Sequence, residues 1–151
     1  MPAVTTGPED ALPSIFTRII AGELPGRFVW RDPQAVAFLT IEPIQPGHTL
    51  VVPRQEVDHW LDLESDLAVH LMRVAQSVGR GIQRAFDPTK VGLVILGLEV
   101  PHVHVHVSPL YGLRDLDFAR ADRKPDPHAM DAAADKLRTA LRELGYQETT
   151  E

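Results

Sequence analysis

The stretch Pro101-His102-Val103-His104-Val105-His106-Val107-Ser108-Pro109 decides the reading of this chain. Histidine and valine alternate with period two, the side-chain period of an extended strand. Three imidazoles therefore share one face, and Val103, Val105 and Val107 share the other. The valines face a core, and the histidines face something else. Seven histidines in 151 residues produce an H-x-H-x-H by accident about 1–2% of the time, which bounds the false-positive risk of so short a motif.

Several uses of such a face compete. A polar, solvated strand face would be served equally well by Thr, Lys or Ser. A metal site is open to two of the rings, because alternate strand positions can grip one ion from the same side. The third ring cannot easily join them. At about 3.4 Å per residue, His102 and His106 lie roughly 13–14 Å apart along a strand, while each ligand nitrogen must come within about 2.1 Å of the ion. The remaining use spreads the imidazoles along an extended anionic ligand, and phosphate chains have that shape.

A chain of this length suits one domain, which buries about 68–70% of its unfolded surface without staples. The absence of cysteine excludes a disulfide framework and a thiolate metal site, and fits a reducing compartment. Met1 to Asp10 has neither a basic nor an apolar signal region, and no apolar run of some 18 residues spans a membrane. A cytoplasmic protein is the expectation. The formal charge of −6 argues against nucleic acid or an anionic membrane as partner, since both need clustered Lys and Arg. An anionic small ligand must then be met locally, by imidazoles, backbone N–H groups and helix N-termini.

Outward from the triad, residues 1–13 read as a flexible terminus. Ser14 to Gly22 reads as a short helix with apolar residues Ile15, Phe16, Ile19 and Ile20. Phe28–Arg31 and Ala35–Leu39 flank Asp32-Pro33-Gln34 as a hairpin, and a strand follows Pro46-Gly47 at His48–Pro53. Leu67, Leu71, Val74, Val78 and Ile82 recur at helical spacing, predicting a helix from Ser65 or Asp66 to Phe86, stopped by Asp87-Pro88. Val91–Leu96 reads as a strand, and Gly97-Leu98-Glu99-Val100 leads into the triad strand. After a loop over residues 110–127, Met130, Ala133, Ala134, Leu137, Ala140, Leu141 and Leu144 predict a terminal helix closed by Gly145. Five short strands with helices between and after them predict an α+β domain on a five-stranded antiparallel sheet. Its body is expected over residues 14–109, with residues 110–151 packed on it.

These residues resemble the histidine triad (HIT) family of nucleotide-binding hydrolases and transferases, closest to its phosphoramidase-like branch. The match runs from Ser14-Ile15-Phe16-Thr17-Arg18-Ile19-Ile20 through Gly26, Ala37-Phe38-Leu39 and Pro46-Gly47-His48-Thr49-Leu50-Val51-Val52-Pro53 to the triad. The resemblance implies a homodimer whose two sheets join, each subunit binding a purine nucleotide of the AMP type, with no cofactor. It implies attack on an α-phosphorus through a nucleotidyl-histidine intermediate that water resolves. His104 matches the nucleophile, its Nδ1–H expected on a backbone carbonyl so that Nε2 is free. His106 is expected to donate to a non-bridging phosphate oxygen, His102 to prop the site, and His48 to pack behind the triad. The base and ribose pocket would draw on Ile15, Phe16, Ile19, Phe38, Thr40, Ile41 and Leu50, positions that plain core packing would equally explain.

The chain also departs from the family. Many bacterial members carry Cys-x-x-Cys where Ser14 and Thr17 stand, so the zinc of those members is not expected. Thr40 stands where Asp or Asn usually meets the ribose, and offers one group where a carboxylate accepts two bonds. Leu98 replaces a phosphate-bonding Gln and Glu99 a hydroxyl donor. Ionised, Glu99 would repel phosphate; protonated, it could donate to an amine leaving group. The expected activity is hydrolysis of a nucleoside phosphoramidate or related conjugate. The alternatives are a dinucleoside polyphosphate hydrolase, a non-catalytic nucleotide-binding module and a metal-binding protein.

Overall fold

The computed structural model describes residues 12–149, so all of the expected flexible terminus except Leu12 and Pro13 lies outside it. The order of elements is α1 (Ile15–Ile20), β1 (Phe28–Arg31), β2 (Ala35–Leu39), β3 (Thr49–Pro53), α2 (Ser65–Phe86), β4 (Lys90–Val94), β5 (Val105–Leu110) and α3 (Pro127–Glu143). Local chemistry sets most of the boundaries. Ser14 caps α1 by accepting the Thr17 N–H at 3.0 Å, the role its hydroxyl favours at a helix start. Between β1 and β2, Asp32 Oδ1 accepts the N–H groups of Gln34 and Ala35 at 2.7 and 2.8 Å, an Asx turn. Asp87 closes α2 in the left-handed region at φ 48°, just before Pro88.

The five strands form one antiparallel sheet in the order β1-β2-β3-β5-β4. The α2 crossover carries the chain from β3 to the outer strand β4, and β5 then inserts between them. One sheet face presents Val29, Ala35, Ala37, Leu39, Val51, Val105 and Val107 to α2 and α3, and Val103, just before β5, packs in the same core. Those helices answer with Leu71, Val74, Val78 and Ile82 on the first and Ala134, Leu137 and Leu141 on the second. Leu137 and Leu141 have no exposed surface, and burying each such side chain contributes about 1.5–3 kcal/mol. The opposite face carries Phe28, Val36, Phe38, Leu50 and Val52, which pack with Phe16 and Ile19 of α1. Both faces are therefore covered over β2 and β3, whose residues are all buried.

Several boundaries differ from the sequence expectation. The triad strand begins at Val105, not at Pro101. Pro101 has no N–H for a ladder, the His102 N–H turns back to Val100 O at 2.8 Å, and the Val103 N–H bonds Val57 O at 2.7 Å, outside the sheet. β3 begins at Thr49 because the His48 N–H folds back to Gln45 O at 3.1 Å. Gly47 makes that fold possible: its φ is +97°, and a Cβ there would lie 2.5 Å from the Phe86 ring. β4 ends at Val94, two residues short of Leu96. α1 is trimmed to Ile15–Ile20, while α3 starts at Pro127, where a proline at the first helical position costs no hydrogen bond. The loop over 110–127 contains two 3-10 turns, Leu113–Leu116 and Phe118–Arg120. Among the described residues, no helix is long and apolar enough to cross a membrane.

Candidate active site

The period-two alternation survives the shortened strand. Val103, Val105 and Val107 are buried beneath α2 and α3, so His104 and His106 emerge on the other face, beside α1. His106 sits opposite Leu50 in the β3–β5 register, which puts it next to His48 at the entry to β3. The four histidines form two linked pairs, and the hydrogen bonds around them decide which nitrogen of each ring carries the proton.

In the first pair, His102 is wholly buried. Its Nε2 lies 2.8 Å from Pro53 O, and a carbonyl can only accept, so the proton is on Nε2. His104 Nδ1 lies 2.8 Å from His102 O, which by the same reasoning places the His104 proton on Nδ1. Its Nε2 then carries a lone pair. In the second pair, the Ile44 N–H donates to His48 Nδ1 at 3.2 Å, so the proton of neutral His48 sits on Nε2. That proton is donated to His106 Nδ1 at 2.9 Å. His106 must then hold its own proton on Nε2. Two adjacent rings, with centroids 5.0 Å apart, thus present opposite polarity: a lone pair on His104 Nε2 and a donor on His106 Nε2.

Both Nε2 atoms are open. Among the described residues neither takes a hydrogen bond, and the buried side-chain polar atoms without a partner are Ser108 Oγ and Thr149 Oγ1. The His104 ring as a whole is only 7% exposed, because Phe16 stands edge-on to it at 4.8 Å. Burial pushes all four rings below their ordinary pKa, His48 to about 4 and His106 to about 3. For His106 the neighbouring His48 and His104 add to the burial effect. Neutral imidazoles are therefore the state of the site at pH 7, as a nitrogen nucleophile needs. On His104 a hydrogen bond to His102 O and the Glu99 carboxylate partly oppose burial, so the exposed Glu99 acts on the ring electrostatically.

The expected pocket residues divide. Phe16, Ile19, Phe38 and Leu50 pack in one apolar cluster with Phe28, Val36 and Val52, which makes them core; of these Phe16 stands against His102 and His104 and Leu50 faces His106 in the strand register. Ile15 and Ile41 are 43% and 68% exposed and lie outside that cluster. Thr40 is half-buried; its N–H bonds His48 O at 3.2 Å, and its hydroxyl accepts the Glu42 N–H at 3.3 Å. Phe118, unmarked in the sequence reading, stands edge-on to His106 at 4.9 Å and to His48 at 6.2 Å. The turn carrying it follows buried Asp115, which accepts from Gln45 Nε2, Tyr111 N and Gly112 N. An aromatic in a loop of Asp, Arg and Pro was the one available signal.

A family model described as HIT domain matches residues 21–113. The chain is 34% identical over 108 residues to Protein hit of Bacillus subtilis, covering 67% of this chain and 73% of that protein. It is 31% identical over 122 residues to the Arabidopsis thaliana bifunctional bis(5'-adenosyl)-triphosphatase/adenylylsulfatase FHIT, covering 78% of this chain and 65% of that one. The crystal structure of a zinc-bound histidine triad family protein from Mycobacterium smegmatis superposes with a TM-score of 0.75 at 26% identity, over 86% of this chain and 94% of that chain.

Neutral burial of four imidazoles makes the fold acid-sensitive. Below the ordinary histidine pKa of 6.5 the unfolded chain binds protons that the folded chain refuses. Stability is then complete above that pH and falls as the pH drops toward the folded values, by about 1.4 kcal/mol per pH unit for each of His48 and His106. Carboxylates titrate lower, so urea unfolding at pH 7 and pH 5 isolates the histidines. The expected result is a large loss at pH 5, and equal stabilities would contradict neutral burial.

Proposed function

Because the chain belongs to the HIT domain family, we propose that it is a nucleotide-binding hydrolase that cleaves at the α-phosphorus of a nucleoside phosphoramidate or related conjugate. The observation that carries this reading is the opposed polarity of His104 Nε2 and His106 Nε2 on one open face. A tetrahedral phosphoryl group needs an in-line lone pair on phosphorus and a donor on a non-bridging oxygen, and the two rings supply one each. In the first step the His104 Nε2–phosphorus bond forms as the phosphorus–nitrogen bond breaks, the leaving nitrogen taking that electron pair and a proton from solvent so that it departs as a neutral amine. The Nδ1–H, held on His102 O, steadies the positive charge the ring acquires. Water then attacks phosphorus, Nε2 departs with its electron pair, and nucleoside monophosphate is released.

Glu99 favours an amine over a phosphate as leaving group. Its carboxylate acts on His104 electrostatically, and a negative charge on that side of the site opposes a polyphosphate while tolerating a neutral or cationic amine. The rival, dinucleoside polyphosphate hydrolysis, draws support from the activity in the name of the Arabidopsis relative. The base would meet the exposed edge of α1 at Ile15 and the turn at Ile41, beside Phe16, Ile19, Phe38 and Leu50, and Thr40 would face the ribose.

A homodimer is part of the proposal. β4 has no strand on its outer edge, and its Leu93, with Ile95 just beyond it, is exposed. With Trp60, Leu63, Met72, Val103 and Val105 these residues line an apolar groove of about 450 Å³. That groove lies behind the triad strand, on the valine side, so a second copy pairing there leaves the imidazole face free. Sedimentation should show a dimer for the parent chain and a monomer for Leu93→Asp; a monomeric parent would refute it.

Kinetics test the chemistry. Release of AMP from an adenosine phosphoramidate should be abolished by His104→Ala, and reduced about 10²–10³-fold by His106→Ala, the range for losing one donor to the transition state. Equal rates for His104→Ala and the parent would refute the mechanism. Faster cleavage of a dinucleoside polyphosphate than of the phosphoramidate would hand the assignment to the rival.

A further inference from the structure

The start of α1 reaches the triad through residues that the chemistry above does not use. Glu56 Oε1 accepts the Ser14 N–H at 2.6 Å and the Thr17 hydroxyl at 2.7 Å. Ser14 Oγ accepts the Thr17 N–H at 3.0 Å and lies 2.6 Å from His102 Nδ1. Since the His102 proton is on Nε2, facing Pro53 O, its buried Nδ1 is a bare acceptor. An unpartnered buried acceptor costs about 1–3 kcal/mol, and the Ser14 hydroxyl is the donor that meets it. The chain of contacts therefore runs from Glu56 to Ser14, to the His102 ring, and from the His102 carbonyl to His104 Nδ1.

Positions 14 and 17 are those where the resemblance implies Cys-x-x-Cys and zinc in other members, and the donor set here does not fit that metal. Zinc takes thiolate, imidazole or carboxylate, whereas positions 14 and 17 here offer hydroxyls already engaged in hydrogen bonds. Both His102 nitrogens are also spoken for. Among the described residues, no group of three His, Cys, Asp or Glu side chains could hold a metal ion. The polar atoms of the cluster satisfy one another without an ion.

We propose that Glu56 is a positioning residue: with Ser14 and Thr17 it forms a metal-independent clasp that fixes the His102 ring and, through its carbonyl, the orientation and tautomer of His104. The carboxylate gathers two donors from the first turn of α1 at a single oxygen, and so sets where the Ser14 hydroxyl points. Pro53 O pins the far side of the ring. With the ring held from both ends, the peptide carbonyl that follows it cannot swing, and the lone pair of His104 stays aimed at the open face. The proposal rests on His104 being the nucleophile.

The test compares the parent chain, treated with a chelator, with Glu56→Ala, Glu56→Gln and Thr17→Val. The Glu56 side chain is 37% exposed, so the alanine variant truncates a surface contact, and Thr17→Val removes only one of the two bonds. Glu56→Ala should lower kcat about 10–100-fold with KM nearly unchanged, the cost of misaligning a reacting group. Glu56→Gln keeps a carbonyl oxygen for both donors and should recover most of the loss; Thr17→Val should show a smaller loss of the same kind. Two-bond 1H–15N spectra without nucleotide should show single tautomers for His102 and His104 in the parent and mixtures in Glu56→Ala. Single tautomers in Glu56→Ala, a loss confined to KM, or no recovery by glutamine would overturn the clasp. So would parent activity that disappears with the removal of bound zinc. Because the spectra need no substrate, mixed tautomers in a protein that hydrolyses nothing would uphold the clasp while rejecting the proposed function.

Discussion

Two backbone groups determine what the imidazole face can do. The carbonyl of His102 accepts the Nδ1–H of His104, and the amide of Ile44 donates to His48 Nδ1, which leaves the His48 proton on Nε2. Each choice propagates outward. The first leaves a lone pair on His104 Nε2; the second passes a proton through His48 to His106 and leaves a donor on His106 Nε2. Neither choice is made by direct contact with a charged side chain, which suits a site whose rings are kept neutral by burial. A chain that is acidic overall can thus present a local pattern of acceptor and donor to a phosphoryl group without a basic surface.

The fold exists, in this account, to hold those backbone groups still. Helices α2 and α3 seal the valine side of the sheet, so β5 cannot rotate without exposing its core residues. On the other side Phe16 stands against His102 and His104, while Phe118 stands against His48 and His106. The two aromatic rings arrive from opposite ends of the domain sequence, one from the first helix and one from the loop after β5. Each covers the sides of a histidine pair and leaves one Nε2 open, that of His104 in the first pair and that of His106 in the second. Desolvation of this kind depresses the imidazole pKa values and strengthens the short hydrogen bonds between the rings.

Much of this was legible in the sequence, and the part that was not has a common physical reason. Alternation of His and Val reported the two faces of β5, because side-chain direction in an extended chain is a local property. The spacing of Leu67, Leu71, Val74, Val78 and Ile82 reported α2 for the same reason, and all five are buried in the structure. The His104 bond to a backbone carbonyl was also expected, and the acceptor proved to be His102, two residues away. Long-range contacts were not readable. Glu56 meets Ser14 across 42 positions and His102 reaches Pro53 across 49; no period or spacing links such residues. Phe118 lies in a loop with no repeat to place it. The ladder failed at Pro101 to His104 because the alternation continues in an extended chain whether or not a neighbouring strand is there to bond it. Ile41 was apolar in a promising position yet lies exposed, since the turn after β2 carries it off the sheet.

The central claim is that His104 Nε2 becomes bonded to phosphorus. Incubation with a nucleoside phosphoramidate labelled in the nucleotide, an alkaline quench and peptide mapping by mass spectrometry test it directly. The account predicts a nucleotidyl group on the peptide holding residue 104, stable to base, lost in mild acid and absent from His104→Ala. Turnover with no covalent nucleotide at any time point, or label on another histidine, would contradict it.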